Sequence, residues 1–168
     1  MVAAFSSQRC LLCSPQERDL AQLVALRTDP HVRRYLGGPV STEQSEARAT
    51  LVISESGSHA VWAVHLKAVA PNCIGLVHIG PHHDEPDPEL SYEFSPTVWG
   101  KGIAMEALQA VLTHAFDSLG HTRLVSETQA ANLASRRLLE RLGMKSEKTL
   151  ERFGAEQVIY AIHRQPAG

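Results

Sequence analysis

The 168-residue sequence is poor in several features that mark specialised classes of protein. It has three cysteines, and an odd number argues against a framework of disulfide bonds. Its 16 lysines and arginines are outnumbered by 18 aspartates and glutamates, so the net charge of −2 gives no basic surface for nucleic acid. No apolar run approaches membrane-spanning length, and Met1–Gln8 lacks the charged and apolar regions of a signal peptide. These absences predict a cytoplasmic protein that binds neither nucleic acid nor membrane.

The rest of the composition is that of a globular protein. Hydrophobic residues make up 43% of the chain and charged residues 20%, which argues against a disordered chain. At this length we expect one domain over residues 1–168 with a sizeable core. Cys10 and Cys13 have the spacing of a CxxC motif, but residues three apart on a strand point to opposite faces. We therefore interpret them as ordinary thiols and predict no metal site.

The stretch from Glu89 to Leu108 carries the strongest pattern in the chain. Leu90, Tyr92 and Phe94 alternate with polar residues, as in a half-buried strand, and Pro96 then ends the pattern. Beyond it, apolar residues recur at helical spacing: Ile103, Ala107, Leu108, Val111, Leu112 and Phe116. The stretch therefore predicts a strand, a tight turn and the opening of a long amphipathic helix.

Small residues fill the turn between this strand and this helix, from Trp99 to Ala104. They leave successive backbone N–H groups uncovered at a helix N-terminus, where the helix dipole favours a phosphate group. A Walker A loop needs a serine or threonine after its lysine, but Gly102 follows Lys101. A dinucleotide-binding fingerprint needs a third glycine where Met105 stands. The turn therefore predicts a phosphate-binding loop of another kind.

The turn resembles the coenzyme-binding loop of the GNAT acetyltransferases, with Trp99, Gly102 and Ala104 in the motif positions and Pro96 before them. The resemblance extends over nearly the whole chain, within the branch of the ribosomal-protein N-terminal (alanine/serine) acetyltransferases. Its further landmarks are Arg9 with Leu11, Asp29-Pro30, Tyr35-Leu36-Gly37, Ile74-Gly75, Glu89-Leu90-Ser91-Tyr92, Glu106-Ala107, Asn132-Leu133-Ala134-Ser135 and Leu142-Gly143-Met144. Trp99 replaces the glutamine or arginine common elsewhere in the superfamily. Leu139 stands where many relatives carry a tyrosine that protonates the departing thiolate.

The order of predicted elements gives an α/β (α+β) fold, a single GNAT-like domain with a mixed, mostly antiparallel central sheet flanked by helices. Capping boxes at Ser14–Glu17 and Ser41–Gln44 predict the starts of two helices, and two more begin at Gly102 and Asn132. A hairpin turn is expected at Ala70–Asn72. The predicted strands are Arg9–Cys13, Ala60–Lys67, Cys73–Ile79, Leu90–Phe94, Arg123–Thr128, Lys145–Leu150 and Gln157–His163.

The resemblance implies that the protein transfers acetyl from acetyl-CoA directly to a primary amine, without a metal. The pyrophosphate would bind backbone N–H groups of residues 102–104, within the loop Trp99, Gly100, Lys101, Gly102, Ile103 and Ala104. The strand edge at Tyr92 and Phe94 would pair with the pantetheine arm, and an N–H near Phe94 would stabilise the oxyanion.

Two residues of the last predicted helix are assigned to the coenzyme in the same way. Asn132 would bind the pantetheine arm, cap its helix, or do both. Ser135 is the candidate proton donor to the CoA sulfur, because Leu139 closes the tyrosine route. The other interpretation of Ser135 is an ordinary serine in the first turn of a helix.

The acceptor arrives as an ammonium ion and must lose a proton before it attacks. Glu89 and Glu93 share one face of the central strand, and we rank them equally as the catalytic base. Alternatively, a carboxylate acts through water, or one of His78, His82 and His83 serves. Glu106, Trp62 and Trp99 are interpreted as structural residues.

The segment from His82 to Glu89 gathers four acids without a lysine or arginine. It is either a solvated loop or an acidic mouth that attracts a polycationic acceptor. In the second case Asp84, Glu85 and Glu93 would bind the substrate, and an aminoglycoside-type antibiotic is the acceptor we hypothesise. A protein N-terminal acetyltransferase and a non-catalytic acyl-CoA-binding module are the alternatives. Either a monomer or a homodimer is compatible with the sequence.

Overall fold

Strands and helices follow the predicted order along the chain. The computed structural model describes residues 3–69, 72–84 and 86–165. Its strands are β1 (Phe5–Ser6), β2 (Cys10–Cys13), β3 (Ala60–Leu66), β4 (Cys73–Pro81), β5 (Pro88–Phe94), β6 (Arg123–Gln129), β7 (Lys145–Arg152) and β8 (Ala155–His163). Its α-helices are α1 (Leu20–Thr28), α2 (Thr42–Glu55), α3 (Ile103–Asp117) and α4 (Leu133–Arg141).

The strands form one eight-stranded sheet in the order β1-β2-β3-β4-β5-β6-β8-β7. Every pair of neighbours is antiparallel except β5 and β6, which confirms the predicted mixed, mostly antiparallel sheet. The sequence analysis missed β1, a two-residue strand whose Phe5 packs edge-on against the buried Trp62. The predicted hairpin turn between β3 and β4 falls on residues 70–72, and residues 70 and 71 lie outside the described ranges.

The helices cover the two faces of the sheet in pairs. Leu23 and Leu26 of α1 and Ala49 of α2 pack with Ala63 of β3 in one buried cluster. The main core contains the apolar faces of α3 and α4 together with Trp62 and Val64 of β3. Since successive strand residues point to opposite faces, α1 and α2 lie on one side of the sheet and α3 and α4 on the other.

The two predicted capping boxes have different outcomes. Ser41 caps α2 as expected, with its side chain accepting a hydrogen bond from the Gln44 N–H. The predicted box at Ser14–Glu17 is wrong, because the Gln16 N–H donates instead to Asp19 at 2.9 Å and opens a short 3-10 helix. Asp19 is fully buried and also accepts from His65 Nε2 at 2.7 Å, so a partner on β3 determines where this helix begins.

All three cysteines are free thiols: Cys10, Cys13 and Cys73. Cys10 lies in the main core, whereas Cys13 contacts His65 on the other face, which confirms that the two residues of the CxxC spacing diverge. Among the helices of the described ranges, none combines the length and the apolar character needed to cross a membrane.

The strands β5 and β6 part soon after they meet, and this opens the cleft described next. Within the described chain they pair at one position, Glu89 with Val125, although each strand runs on for several residues. Because the two strands are parallel, their diverging ends both point towards the N-termini of the helices that follow them. The site therefore lies where the sheet is split rather than on its surface.

Candidate active site

A cavity of about 750 Å³ lies between the diverging ends of β5 and β6, and we call it the β5–β6 cleft. Its walls come from β5 (residues 89–94), the loop before α3, the end of β6 and the first turns of α4. Four of the predicted loop residues line it: Trp99, Gly100, Gly102 and Ala104. Tyr92, Phe94, Asn132 and Ser135 line it as well, so the structure brings most of the predicted cofactor residues together.

The loop before α3 presents unpaired backbone donors to this cleft. Gly100 and Gly102 have φ angles of 71° and 73°, a region that favours glycine. The first hydrogen bond of α3 runs from the Glu106 N–H to the Gly102 carbonyl oxygen at 3.1 Å. The N–H groups of residues 103–105 therefore have no acceptor within the helix. This is the geometry that binds a phosphate group at a helix N-terminus.

Two other residues of the predicted loop, Lys101 and Ile103, do not contribute their side chains to the cleft. The Lys101 ammonium donates a hydrogen bond to the Thr97 carbonyl oxygen at 2.7 Å, and Ile103 is buried in the main core. Neither side chain belongs to the lining of the β5–β6 cleft. Only their backbone groups are placed to take part in binding, because the loop turns both side chains away.

The Glu106 carboxylate helps to hold the loop before α3 in place. Glu106, in the first turn of α3, accepts hydrogen bonds of 2.6 Å from the Ser7 hydroxyl, the Arg9 backbone N–H and Arg9 Nε. Arg9 also donates to the Lys101 carbonyl oxygen at 3.1 Å. Burial alone would raise the pKa of Glu106, but the bonds from Ser7 and Arg9 lower it to about 2. The predicted structural role of Glu106 is thus a link between the start of the sheet and the loop.

The edge of β5 next to the cleft carries unpaired backbone groups. The Ser95 N–H donates to the Ile74 carbonyl oxygen, so the odd-numbered residues of β5 bond to β4 in this antiparallel ladder. The N–H groups of Tyr92 and Phe94 therefore point towards β6 and the cleft. The Phe94 carbonyl oxygen accepts a hydrogen bond from Trp99 Nε1 at 2.9 Å. Trp99 thus ties the loop to the strand, with 48% of its surface exposed.

Ser135 and Tyr92 meet across the cleft. Their hydroxyl oxygens are 2.7 Å apart, and burial raises the pKa of the Tyr92 phenol to about 12. Asn132 caps α4 by accepting a hydrogen bond from the Ser135 N–H at 3.2 Å. Leu139 is fully buried in the core and has no polar group to offer. Tyr92 and Ser135 therefore place a hydrogen-bonded pair of hydroxyl groups in the cleft, whereas Leu139 offers none.

Glu89 and Glu93 lie on the same face of β5 but in different surroundings. Glu89 accepts a hydrogen bond from the Glu127 N–H at 3.3 Å, and burial raises its pKa. Glu93 forms an ion pair with Arg33 Nη1 at 3.0 Å, with 17% of its side chain exposed. Both carboxylates line the β5–β6 cleft, but Glu89 is the one that holds its proton more readily than an exposed glutamate.

The acidic loop before β5 is largely paired with arginines. Asp84 contacts Arg152 Nη1 at 2.6 Å, and Asp87 contacts Arg123 Nε at 2.8 Å. Arg152 also lies 3.2 Å from Glu127 on β6. Glu85, the third predicted substrate residue with Asp84 and Glu93, lies outside the described residues. The open acidic mouth that the sequence suggested is therefore much reduced in the folded protein.

Three histidines were alternative candidates for the base. His82 Nε2 lies 2.6 Å from a carboxylate oxygen of Glu127, and the ring of His83 packs edge-on against Phe153. The pKa of His78 is lowered, chiefly by burial and further by the charges of Arg48 and His59. None of the three lines the β5–β6 cleft, although His78 lines the smaller cavity described next.

A smaller cavity of about 280 Å³ lies on the α1–α2 side of the sheet, and we call it the α1–α2 cavity. It shares Ser91, Tyr92 and Glu93 with the β5–β6 cleft, so the two spaces meet at β5. Its lining includes Arg27 of α1 and Arg48 of α2. Sequence reasoning missed these arginines, because nothing in a helical arginine distinguishes a cavity wall from a solvated face.

The split sheet, the helix N-terminus and the unpaired strand edge together form a cleft with backbone donors suited to a phosphate group and to an extended chain. Residues 9–145 match the acetyltransferase (GNAT) domain family. The chain belongs to this family, and the expected fold and acetyl-CoA-dependent N-acetyltransferase activity are thereby confirmed.

Individual relatives agree with this assignment. The chain is 26% identical over 143 residues to the uncharacterized N-acetyltransferase YnaD of Bacillus subtilis, covering 84% of this chain and 82% of that protein. Its fold is similar to that of the ribosomal-protein-S5-alanine acetyltransferase from Vibrio fischeri, with a TM-score of 0.79, 14% identity and 98% of each chain covered. It is also similar to Mycobacterium smegmatis RimJ in complex with CoA-disulfide, with a TM-score of 0.74, 19% identity, and 92% and 81% covered.

Proposed function

We propose that the protein binds acetyl-CoA in the β5–β6 cleft and transfers its acetyl group to the primary amine of a small acceptor. The observation that carries the proposal is the set of unpaired N–H groups at residues 103–105, which open into the cleft. These donors would hold the pyrophosphate of the coenzyme. The free edge of β5 would then pair with the amides of the pantetheine arm, as an added strand does.

The thioester would lie against the end of β5. The Phe94 N–H points into the cleft, because only the odd-numbered residues of β5 form backbone hydrogen bonds with β4. It would donate a hydrogen bond to the thioester oxygen and stabilise the negative charge that develops there. Asn132 serves as the cap of α4, and its remaining amide N–H₂ is available to the pantetheine arm.

We assign the base to Glu89 rather than Glu93. Burial raises the pKa of Glu89, which brings its proton affinity closer to that needed at neutral pH. Glu93 is already engaged in an ion pair with Arg33 at 3.0 Å. Glu89 takes a proton from the ammonium ion, directly or through water, and the neutral amine attacks the thioester carbon.

Collapse of the tetrahedral intermediate breaks the carbon–sulfur bond and leaves a thiolate. Ser135 would donate its hydroxyl proton to the sulfur, since it lies in the cleft opposite β5. Tyr92, at 2.7 Å, would then return a proton to Ser135 and recover its own from solvent. The phenol's raised pKa keeps it protonated until that moment.

The acceptor hypothesis drawn from the acidic loop is an aminoglycoside-type antibiotic, bound by Asp84, Glu85 and Glu93. Pairing of Asp84 with Arg152 and of Glu93 with Arg33 weakens the support for it. Acetylation of a protein N-terminus is the second candidate, favoured by the similar fold of an enzyme named for ribosomal protein S5. Cytoplasmic location and a monomeric or dimeric state stay predictions.

Amine-dependent release of free thiol from acetyl-CoA tests the proposal. We expect release with at least one amine in a panel of small amines, aminoglycosides and peptides that begin with serine or alanine. Preference for aminoglycosides would restore the acidic-mouth hypothesis, and preference for peptides would favour the second candidate. A protein that binds acetyl-CoA but releases no thiol with any amine would be a non-catalytic binding module.

A matched pair of variants tests the loop. Gly102→Glu places a carboxylate where the pyrophosphate would bind, and we expect it to abolish thiol release. Gly154→Glu is the control, because Gly154 has a similar φ of 74° in the turn between β7 and β8 and lies outside both cavities. Equal activity in the two variants would contradict the assignment of the loop.

A further inference from the structure

The α1–α2 cavity carries an unpaired positive charge at the place where an acceptor would enter. It opens on the face of β5 that bears Glu89, Ser91 and Glu93, and it shares two of these residues with the β5–β6 cleft. A molecule in the cavity would therefore reach the thioester from the side opposite the coenzyme. Its volume of about 280 Å³ is at the lower end of the range for ligand pockets, which suits a small molecule better than a folded partner.

Arg27 provides the main evidence that this cavity binds a ligand. Its Nε is buried and has no hydrogen-bond partner among the described residues. Burial lowers the pKa of the Arg27 guanidinium, while the nearby Glu93 carboxylate opposes that shift. A buried N–H of a guanidinium without a hydrogen-bond partner costs free energy, and a carboxylate or a phosphate is the usual acceptor for such a group.

The charges on the cavity wall do not cancel. Glu93 is bound by Arg33 at 3.0 Å, which leaves Arg27 and Arg48 facing one further carboxylate, Glu55. Glu55 is exposed at the end of α2. Two histidines, His59 and His78, complete the titratable groups of the lining. Apart from Glu93, the lining of the cavity therefore has a net positive charge, whereas Asp84 and Asp87 of the loop before β5 are paired with arginines.

We propose that the α1–α2 cavity binds the acceptor through an anionic group, so that the substrate is a small primary amine carrying a carboxylate or a phosphate. The anionic group binds Arg27, with Arg48 at the rim, and the amine extends along β5 towards Glu89. Ser91 and Glu89 are two residues apart on one face of the strand, or about 7 Å. The proposal rests on the acetyl transfer proposed above, and it reverses the charge of the acceptor expected from the sequence.

The first test compares pairs of amines in which one member carries an anionic group and the other does not. Thiol release is measured with an amino acid and its amide, and with phosphoethanolamine and ethanolamine. We expect kcat/KM to be roughly 10- to 100-fold higher for an anionic member of a pair, from its charge-assisted hydrogen bonds to the arginine. Whichever pair shows the difference identifies carboxylate or phosphate as the anion. Equal or higher rates for the members without the anionic group would overturn the proposal.

Variants show whether Arg27 causes this preference. Arg27→Gln should remove most of this preference, because kcat/KM should fall much further with the anionic amines than with ethanolamine, and Arg27→Lys should retain part of it. Arg18→Gln is the matched control, since Arg18 is exposed and lines neither cavity. A fall in all rates alike for Arg27→Gln, with an unchanged melting temperature, would overturn the assignment of Arg27 to the anion.

A binding measurement separates this proposal from the proposed function. In ¹⁵N–¹H spectra of the purified protein, the Nε–H signal absent from Arg27→Gln belongs to Arg27. We expect it to move when inorganic phosphate or acetate is added, whether or not any amine is acetylated. A signal that stays in place with both anions overturns the anion site. A moving signal without thiol release from any amine would leave the site standing and refute the acetyl transfer.

Discussion

The loop before β5 and the α1–α2 cavity carry opposite charges, and they differ in whether those charges are occupied. Asp84 and Asp87 of the loop are bound by Arg152 and Arg123 at 2.6 and 2.8 Å. In the cavity, Arg27 Nε is buried without a hydrogen-bond partner among the described residues. The number of charges in a segment therefore says less about a ligand than the number left unpaired after folding.

The largest expected effect comes from the base that lies between these two regions. Glu89→Gln should lower kcat by roughly 10²- to 10⁴-fold, because the ammonium ion loses its proton acceptor while the fold keeps a side chain of the same size. Glu93→Gln is the matched control and should have a smaller effect. Steady-state rates of thiol release decide between them, and a larger loss in Glu93→Gln would reverse the assignment.

The pH dependence of the same reaction gives an independent check. The acidic limb of kcat/KM should lie above the ordinary glutamate pKa of about 4.5, because burial raises the pKa of Glu89. A limb at or below that value in the wild-type protein would argue against Glu89. Loss of the limb in Glu89→Gln would confirm its origin.

Removing the arginine that neutralises the acidic loop should destabilise the fold. Arg152 lies between Asp84 and Glu127, and only 14% and 7% of the Arg152 and Glu127 side chains are exposed. Arg152→Gln should therefore lower the free energy of unfolding by about 2 kcal/mol, because the buried Glu127 carboxylate loses Arg152 and keeps His82 at 2.6 Å. The double variant Arg152→Gln/Glu127→Gln should regain part of the lost free energy of unfolding. Denaturation in urea measures both, and an unchanged midpoint for Arg152→Gln would mean that the loop does not depend on this pair.

A smaller effect is expected at the proton donor. Ser135→Ala should lower kcat by roughly 10- to 100-fold, at or below the low end for general acids, because a thiolate leaves readily. Tyr92→Phe should have a weaker effect, since Tyr92 acts through Ser135 at 2.7 Å. Single-turnover release of thiol is the measurement. Full activity in Ser135→Ala would mean that water protonates the sulfur.

The smallest effect concerns the brace behind the coenzyme loop. The bonds from Ser7 and Arg9 lower the pKa of Glu106 to about 2, below its ordinary value of about 4.5. A depressed folded-state pKa adds stability above pH 4.5, and that contribution is lost as the pH falls towards 2. Glu106→Gln should be less stable at neutral pH and should lose less on acidification. Parallel pH dependence of the unfolding midpoints in both proteins would contradict the role of this pair.

Local patterns predicted the fold and the conformation of the loop before α3, because each depends on neighbours in the chain. The alternation of Leu90 and Phe94 and the glycines at 100 and 102 act within a few residues, and the structure confirms them. The predicted helix start at Ser14 was wrong because Asp19 bonds His65, 46 residues away. Contacts of this range leave no periodic signal in a sequence.

The charge of the acceptor site depends on contacts of the same long range. Asp84 bonds to Arg152, 68 residues away, and Asp87 bonds to Arg123, 36 residues away. Nothing in the sequence therefore indicated that arginines neutralise these two acids. The partners of Ser135 and Glu93 are equally distant, at 43 and 60 residues. The sequence could therefore name candidate residues for the site without predicting which of them stay available.

The central claim is that the β5–β6 cleft binds acetyl-CoA through the backbone N–H groups at the N-terminus of α3. Calorimetric titration of the purified chain with acetyl-CoA tests it without any acceptor. We predict heat with a stoichiometry of one per chain for the wild type and for Gly154→Glu, and none for Gly102→Glu. The absence of heat in the wild type, or its survival in Gly102→Glu, would contradict the account.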